Sequence, residues 1–285
     1  MVLESLINPF NAEKRPSSLI FLGFLYSTLA AFLSLWIFRQ YSSLIVVFLT
    51  TMAAVPLMYN IIKMEEEKDL TDLNEHFLFK EHTKALKAFM FLFLGVTLAL
   101  SFWYVVLPSE TISVLFESQT STISAINSPN MVSAKASSGL NVFFHIFSNN
   151  LKVLVFCILF SFLYGVGAIF ILTWNASVVS TAIGNYIRSG LASLAAATGS
   201  LKIAGYFKII SLGLFKYSIH GIPEIFAYFM AGLAGGIISI AVIRHDFGTR
   251  KFEHIVLDSA DLILVSLFIL FIAALLEVYI TPVIF

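Results

Sequence analysis

The sequence has little charge, a single cysteine and no excess of either sign of charge. Asp, Glu, Lys and Arg make up 12% of the 285 residues, about half of the ~25% that is usual in soluble domains. The formal net charge is zero, so no basic excess indicates nucleic acid as a partner. Cys157 has no second cysteine to pair with. We interpret it as a small buried hydrophobic residue.

Motifs that carry enzymatic chemistry are also missing. The sequence contains no glycine-rich phosphate-binding loop, no G-x-S-x-G nucleophile motif and no H-E-x-x-H metal-binding motif. The apolar segments and their short connections use nearly all of the residues, so no soluble catalytic domain fits. We therefore predict a protein that is not an enzyme and that uses no cofactor and no metal.

What the sequence has instead is long apolar segments. Hydrophobic residues make up 59% of the chain, and 29 residues are phenylalanine. A helix needs about 20 apolar residues to cross a hydrocarbon core of ~30 Å. Segments of this length cover about 18–38, 43–62, a third ending near 107, and then 150–174, 222–243 and 262–280. The pattern predicts an all-α, polytopic helical membrane protein embedded in the lipid bilayer.

The number of crossings depends on the stretch 176–217, which is glycine-rich and less apolar than the other segments. Arg188 and three lysines lie within this stretch. The basic connection 244–258 is expected on the cytoplasmic side and the segment 109–148 outside, so an odd number of crossings must separate them. We favour about seven crossings over six, with a possible broken or re-entrant segment near 203–224.

The charged residues also predict an orientation in the membrane. Lys14 and Arg15 precede the first apolar segment, and five lysines lie within 63–87, whereas 109–148 is rich in Ser, Thr and Asn and contains one lysine. Because positive residues accumulate in cytoplasmic connections, we expect a cytoplasmic N-terminus and an external 109–148 loop in a multi-pass protein of the cell membrane. We interpret 63–87 as a solvated charged helix.

A few polar residues interrupt the apolar second half. His220 and Glu224 are four residues apart and lie at the start of an apolar segment, next to Pro223. A carboxylate in lipid costs ~2.5 kcal/mol or more unless it faces protein or water, so the pair is either a proton or ion site or a structural hydrogen bond. Glu277 is a third intramembrane candidate. Asn150 and Asn175 complete the set, and we expect both to cap helices.

Small residues at helical spacing indicate close helix packing in the same half. Ala227, Ala231 and Gly235 recur every four residues, which lets a neighbouring helix approach closely. The same role is expected of Gly165, Gly167, Gly232 and Gly236.

Four segments resemble the stage II sporulation protein M family of membrane proteins. They are FSNNLKVLVFCILFSFLYGVGAIFILTWN, HGIPEIFAYFMAGLAGG, the basic connection around Arg244 and Arg250, and the closing LLEVYITP. The resemblance covers the chain from about Phe89 onward. It indicates a division into an N-terminal two-span extension with the start of the charged connection (1–81), similar to that of archaeal members, and a family-like membrane domain (82–285).

The resemblance implies a non-enzymatic scaffold or assembly partner in envelope or membrane remodelling. Such a role predicts membrane-protein partners or a homo-oligomer. The residues themselves leave a second function open, a transporter or channel for a small solute or ion. Transporters build binding sites from broken helices with polar groups near the middle of the membrane, and His220 and Glu224 would form that site here.

Overall fold

The structure, a computed structural model, consists of helices throughout the residues that it describes. These are residues 12, 14–69, 75–126, 139–164, 167–194, 199–244 and 248–284. The helices are α1 (Ser18–Ile37), α2 (Ser42–Asp69), α3 (Glu75–Val106), α4 (Ser109–Leu115), α5 (Glu117–Ile126), α6 (Gly139–Tyr164), α7 (Ala168–Ser193), α8 (Gly199–Ile243), α9 (Arg250–Leu275) and α10 (Thr281–Ile284). A 3₁₀ turn at Arg39–Tyr41 precedes α2, and a π-helical segment at Leu276–Ile280 joins α9 to α10.

Seven of these helices are long and apolar enough to cross a bilayer within the described ranges: α1, α2, α3, α6, α7, α8 and α9 with its extension to Ile284. The all-α, polytopic membrane fold predicted from the apolar segments is thus confirmed, with the favoured number of seven candidate spans. The short helices α4 and α5 lie between α3 and α6, inside the segment predicted to be an external loop. That segment is therefore shorter than predicted, because α6 already begins at Gly139.

The helix α8 lies at the centre of the bundle. In its most apolar stretch 83% of the residues are buried, against 22% in α6 and in the last span. It packs against α9, α6 and α7 and also reaches α2 and α3. Helices that are buried on all sides need small residues where their neighbours approach, and α8 carries its alanines and glycines in this central part.

The helices α1 and α3 cross at a pair of glycines. A Cβ atom added to Gly23 would collide with the carbonyl oxygen of Leu92, and one added to Gly95 would collide with that of Ile20. Each glycine thus lets the backbone of the other helix come into direct contact. Neither glycine was recognised from the sequence, although small residues recur every four positions at each site: Gly23, Ser27 and Ala31 in α1, and Gly95 and Ala99 in α3.

The predicted fourth span, 150–174, is wrong at both ends. The apolar run belongs to two helices, α6 and α7, which meet at residues 165–167. Gly167 is needed at this turn because a Cβ atom there would collide with the carbonyl oxygen of Phe160. Gly165 lies outside the described residues. The run is continuously apolar through the turn, so periodicity alone could not show that the chain reverses.

The predicted broken or re-entrant segment near 203–224 is also wrong. The helix α8 runs without interruption over 45 residues and includes Pro223. Proline removes one backbone donor, which a membrane helix tolerates when neighbouring segments compensate. The glycines that indicated a break are packing positions: a Cβ atom at Gly205 would touch Leu194, and one at Gly213 would touch Tyr186. The additional crossing is supplied by α7.

Candidate functional site

His220 and Glu224 lie on one face of α8 and meet the end of the last span. The Nδ1 atom of His220 is 3.2 Å from the hydroxyl oxygen of Thr281. The hydroxyl of Tyr228, one turn further along α8, donates a hydrogen bond of 2.8 Å to Oε1 of Glu224. We call His220, Glu224, Tyr228, Glu277 and Thr281 the carboxylate cluster. Glu224 and Glu277 lie close enough for their charges to interact.

The hydrogen bonds determine which nitrogen of His220 carries a proton. The hydroxyl of Thr281 has one hydrogen, and it is donated to the carbonyl oxygen of Leu276 at 3.0 Å. The Thr281 oxygen must therefore accept from His220, whose Nδ1 carries the hydrogen. In the neutral ring Nε2 is then left as an acceptor, so His220 can take a proton on the side away from Thr281.

Glu277, the second glutamate of the carboxylate cluster, lies in the π-helical segment. In Leu276–Ile280 the backbone N–H of Thr281 bonds to the carbonyl of Leu276, five residues back. A proline ring normally clashes with the carbonyl four residues before it, and Pro282 follows directly. The wider π turn relieves that clash. Single π turns inside α-helices occur frequently at functional sites.

The two asparagines do not join this cluster through hydrogen bonds in the described part of the chain. Asn150 is buried in the middle of α6. Asn175 lies inside α7 and donates to the carbonyl of Ile171, one turn back in the same helix. Both residues are helical interior positions, so the prediction that they cap helices is wrong. The cause is the missed turn between α6 and α7.

The small residues of α8 face α6 and α7. A Cβ atom at Gly235 would lie 2.7 Å from the carbonyl oxygen of Ile158, and one at Gly232 would lie 2.9 Å from Cβ of Ala168. Ala227 and Ala231 are fully buried, and Gly236 is buried as well.

The first half of α6 packs against α9 through aromatic rings. Phe143 and Phe147 contact Phe271 of α9, with ring centroids 5.3 and 5.9 Å apart.

A second polar cluster lies at the opposite end of α8 and was missed by the sequence interpretation. We call it the ionic cluster, and it consists of Glu65, Glu66, His82 and Arg244. Arg244 follows α8 directly, and its guanidinium is 2.8 Å from a carboxylate oxygen of Glu66 in α2. His82 of α3 is 2.7 Å from Glu65. The side chains of Glu65 and Glu66 are fully buried, and His82 is nearly so. The interpretation of 63–87 as a solvated helix is therefore wrong for these residues.

The two clusters are separated by most of a membrane thickness. Glu224 precedes Ile243 by 19 residues of continuous helix, which is ~28 Å at ~1.5 Å per residue. The hydrocarbon core is ~30 Å thick, so the ionic cluster around Arg244 and the carboxylate cluster lie towards opposite faces. The sequence signal for the ionic cluster was the acidic run before α3 together with Arg244 after α8.

Arg188 also has a definite structural role. Its guanidinium, on α7, donates to the carbonyl oxygen of Leu107 at 2.7 Å and to those of Tyr104 and Val105 at 3.3 Å. It also contacts the hydroxyl of Ser109 at 2.9 Å. These carbonyls belong to the last turn of α3 and the residue after it, where no following turn supplies donors.

Two cavities lie between α3, α7 and α8. The hydroxyl cavity, of about 540 Å³, also touches α5, and its polar lining includes Tyr104, Ser124, Asn185, Tyr186, Ser189 and Tyr217. The apolar groove, of about 260 Å³, includes Met90, Leu94, Leu98, Ile183, Ile222 and Ile225, and again Tyr217. Neither cavity is lined by His220, Glu224 or Glu277. Among the described residues no three His, Cys, Asp or Glu side chains are grouped as metal ligands.

The comparison with protein families identifies the chain. The family model described as Stage II sporulation protein M matches residues 20–282, from the start of α1 to the end of the last span. Comparison with curated proteins and with solved structures gives no match. The division of the chain into 1–81 and 82–285 stays a prediction. Since the match covers nearly the whole sequence, the chain belongs to the stage II sporulation protein M family.

Proposed function

We propose that this chain is a non-enzymatic membrane scaffold that assembles with other membrane proteins, or with copies of itself, in envelope or membrane remodelling. The observation that carries the proposal is that a hydrogen bond of the carboxylate cluster joins α8 to the end of the last span. His220 of α8 donates to Thr281, while Tyr228 donates to Glu224 within α8 itself. The bond between His220 and Thr281 fixes α8 to the end of the last span, as a rigid scaffold requires.

The close packing around α8 supports the same role. Backbone and small side chains meet at Gly235 and Gly232, and further small residues of α8 are fully buried. Interfaces of this kind hold membrane helices by van der Waals contact. They favour a bundle of fixed shape that presents a constant outer surface to partners.

A transporter or channel for a small solute or ion is the second candidate. The observation in its favour is the position of Glu277, in a π turn and within electrostatic range of Glu224. Paired carboxylates inside a membrane protein are candidates for proton or ion coupling. Under this function His220 would accept protons on Nε2.

Substitution of Glu224 separates the two functions. Glu224→Gln keeps an acceptor for Tyr228, so a scaffold should retain its complexes, whereas Glu224→Leu should lose them. The assay is the apparent size in mildly solubilised native membranes, compared with the 31.6 kDa chain, together with ion and proton flux in proteoliposomes. Flux in the wild type that disappears in Glu224→Gln, with a monomeric size, would contradict the scaffold role.

The proposed orientation has a cytoplasmic N-terminus, with α4 and α5 outside the cell membrane. The charge bias of the connections supports it. Ser121 lies on α5 and is exposed, so a cysteine at this position, in a Cys157→Ser background, should react with an impermeant maleimide in intact cells. Reaction only after permeabilisation would reverse the orientation. Arg39, exposed in the 3₁₀ turn after α1, is a second external position for the same substitution.

A further inference from the structure

The hydroxyl cavity and the apolar groove lie next to each other, and we call the two together the slot. Tyr217 of α8 lines both. Along α3 the wall changes from Tyr104 in the hydroxyl cavity to Leu98, Leu94 and Met90 in the groove. From Tyr104 to Met90 the helix advances by ~21 Å at ~1.5 Å per residue. The slot therefore changes from polar to apolar along the direction of the spans.

The polar end of the slot is chemically suited to an uncharged ligand with several hydroxyl groups. No charged side chain among the described residues lines it. Within the described part of the chain, the side chains of Asn185, Tyr186, Ser189 and Tyr217 make no hydrogen bond to protein, and Asn185 and Ser189 are exposed. Hydroxyl and amide groups can both donate and accept, as the hydroxyls of a sugar do.

Arg188, the arginine near this cavity, already makes hydrogen bonds to the protein. Arg188, whose neighbour Ser189 lines the cavity, donates to the last carbonyls of α3. The ammonium of Lys216 is 5.6 Å from the ring centroid of Tyr186, a distance typical of a cation–π contact. Both of these positive charges thus have partners, which favours a neutral headgroup over a phosphate.

The apolar end of the slot is suited to a hydrocarbon chain. Its wall includes Leu94 and Ile222, which are 42% and 55% exposed, so the groove opens sideways towards the lipid. From Leu98 to Met90 it follows ~12 Å of helix. One leaflet of a ~30 Å hydrocarbon core is ~15 Å deep, and the groove covers most of that depth.

From this order of polar and apolar walls, we propose that the slot binds one membrane lipid whose headgroup is a sugar or another uncharged polyol. The headgroup occupies the hydroxyl cavity, and an acyl chain occupies the apolar groove. The hydroxyl cavity alone is within the ~300–1,000 Å³ of small-molecule sites. The scaffold role neither requires nor supplies this site, so the two proposals fail independently.

The test is native mass spectrometry of the detergent-purified chain with a glucosyl diacylglycerol as probe. Phosphatidylcholine with the same acyl chains reports binding through the chains alone, and free glucose reports binding through the sugar alone. We expect the glucosyl lipid to bind about tenfold more tightly than phosphatidylcholine, the effect of one or two hydrogen bonds. Free glucose should not bind at the same concentration.

Two variants test the two ends of the slot separately. A Cβ atom at Gly221, which lines the groove, meets no atom within 4 Å. Gly221→Phe should fill the groove and reduce binding of the glucosyl lipid about tenfold, and Gly221→Ala is the matched control that leaves the groove open. The double substitution Asn185→Ala with Ser189→Ala removes polar groups of the cavity that bond to no described residue. It should reduce binding of the glucosyl lipid to the level of phosphatidylcholine.

Three results would overturn the proposal. The first is equal binding of the glucosyl lipid and phosphatidylcholine by the wild type. The second is binding of free glucose, which would make the slot a sugar site without a lipid. The third is wild-type binding by the double alanine variant, which decides the question even if Gly221→Phe fails to fold.

Discussion

Substitution of Gly23 by alanine is the sharpest test of the packing described for α1 and α3. The added methyl group would overlap the carbonyl oxygen of Leu92 and lie 3.0 Å from the backbone nitrogen of Val96. These are backbone atoms of a helix and cannot rotate away, so α1 and α3 must separate. Overpacking of this kind typically costs ~1–3 kcal/mol, against a gain of up to ~1 kcal/mol in helix propensity. Because the collision is with backbone atoms, the upper part of the overpacking range applies, ~2–3 kcal/mol, and the expected net loss of stability is ~1–2 kcal/mol.

The assay is the midpoint of thermal unfolding in detergent. A loss of ~1–2 kcal/mol corresponds to a decrease of ~2–8 °C for a chain of a few hundred residues. Gly221→Ala is the matched control, since its methyl group meets no atom within 4 Å and should leave the midpoint unchanged or slightly higher. A Gly23→Ala protein that melts at or above the wild-type temperature would refute the direct backbone contact between α1 and α3.

Three further substitutions test other parts of the structure. Arg244→Ala should destabilise the protein by ~1–3 kcal/mol in denaturant titrations, which is less than the loss of a partner from a fully buried ion pair because the arginine is partly exposed. The control Arg250→Ala, at an exposed position, should be neutral, and equal effects of the two substitutions would contradict the ion pair. Tyr228→Phe should cost ~0.5–1.5 kcal/mol through the lost hydrogen bond to the carboxylate, and an unchanged midpoint would show that this bond does not contribute. Gly235→Leu should lower the yield of folded protein far more than Gly221→Leu, as measured by size-exclusion chromatography, because only the first meets a backbone carbonyl; similar yields would place Gly235 at a lipid-facing surface.

The apolar segments predicted the class of fold, and the charges of the connections raised the number of spans from six to the favoured seven, but neither showed where the chain turns. A length of ~20 apolar residues is a direct requirement of the bilayer, so α1, α2 and α8 could be recognised from composition. The turn at Gly167 could not, because a tight reversal between two apolar helices changes neither composition nor periodicity. At Pro223 the error was the opposite one, because a break was predicted where α8 is continuous. Proline is compatible with a continuous membrane helix when the surrounding segments compensate.

Only part of the carboxylate cluster could be predicted from the sequence. His220 and Glu224 could be paired because four residues bring side chains to one helix face. Thr281, the partner of His220, is 61 residues away from it, and no local pattern connects positions at that separation. The burial of Glu66 had the same cause, because its partner Arg244 is 178 residues further along the chain. Long-range pairs of this kind follow from the packing of helices, which one sequence does not encode in its spacing.

The glycine crossing between α1 and α3 has a consequence for shortened versions of this protein. The predicted division into 1–81 and 82–285 invites a truncation that starts at α3, although the family match already begins at residue 20. Such a chain would present the bare backbone around Gly95 to lipid, where the hydrogen-bonded helix would lack the van der Waals partner that Ile20 provides. It would also remove Ala30, Ala31, Val46 and Val47 from the cluster that covers Tyr104 and Phe116. Expression, labelling or reconstitution studies should therefore keep the first two helices, or supply them as a separate polypeptide in the same membrane.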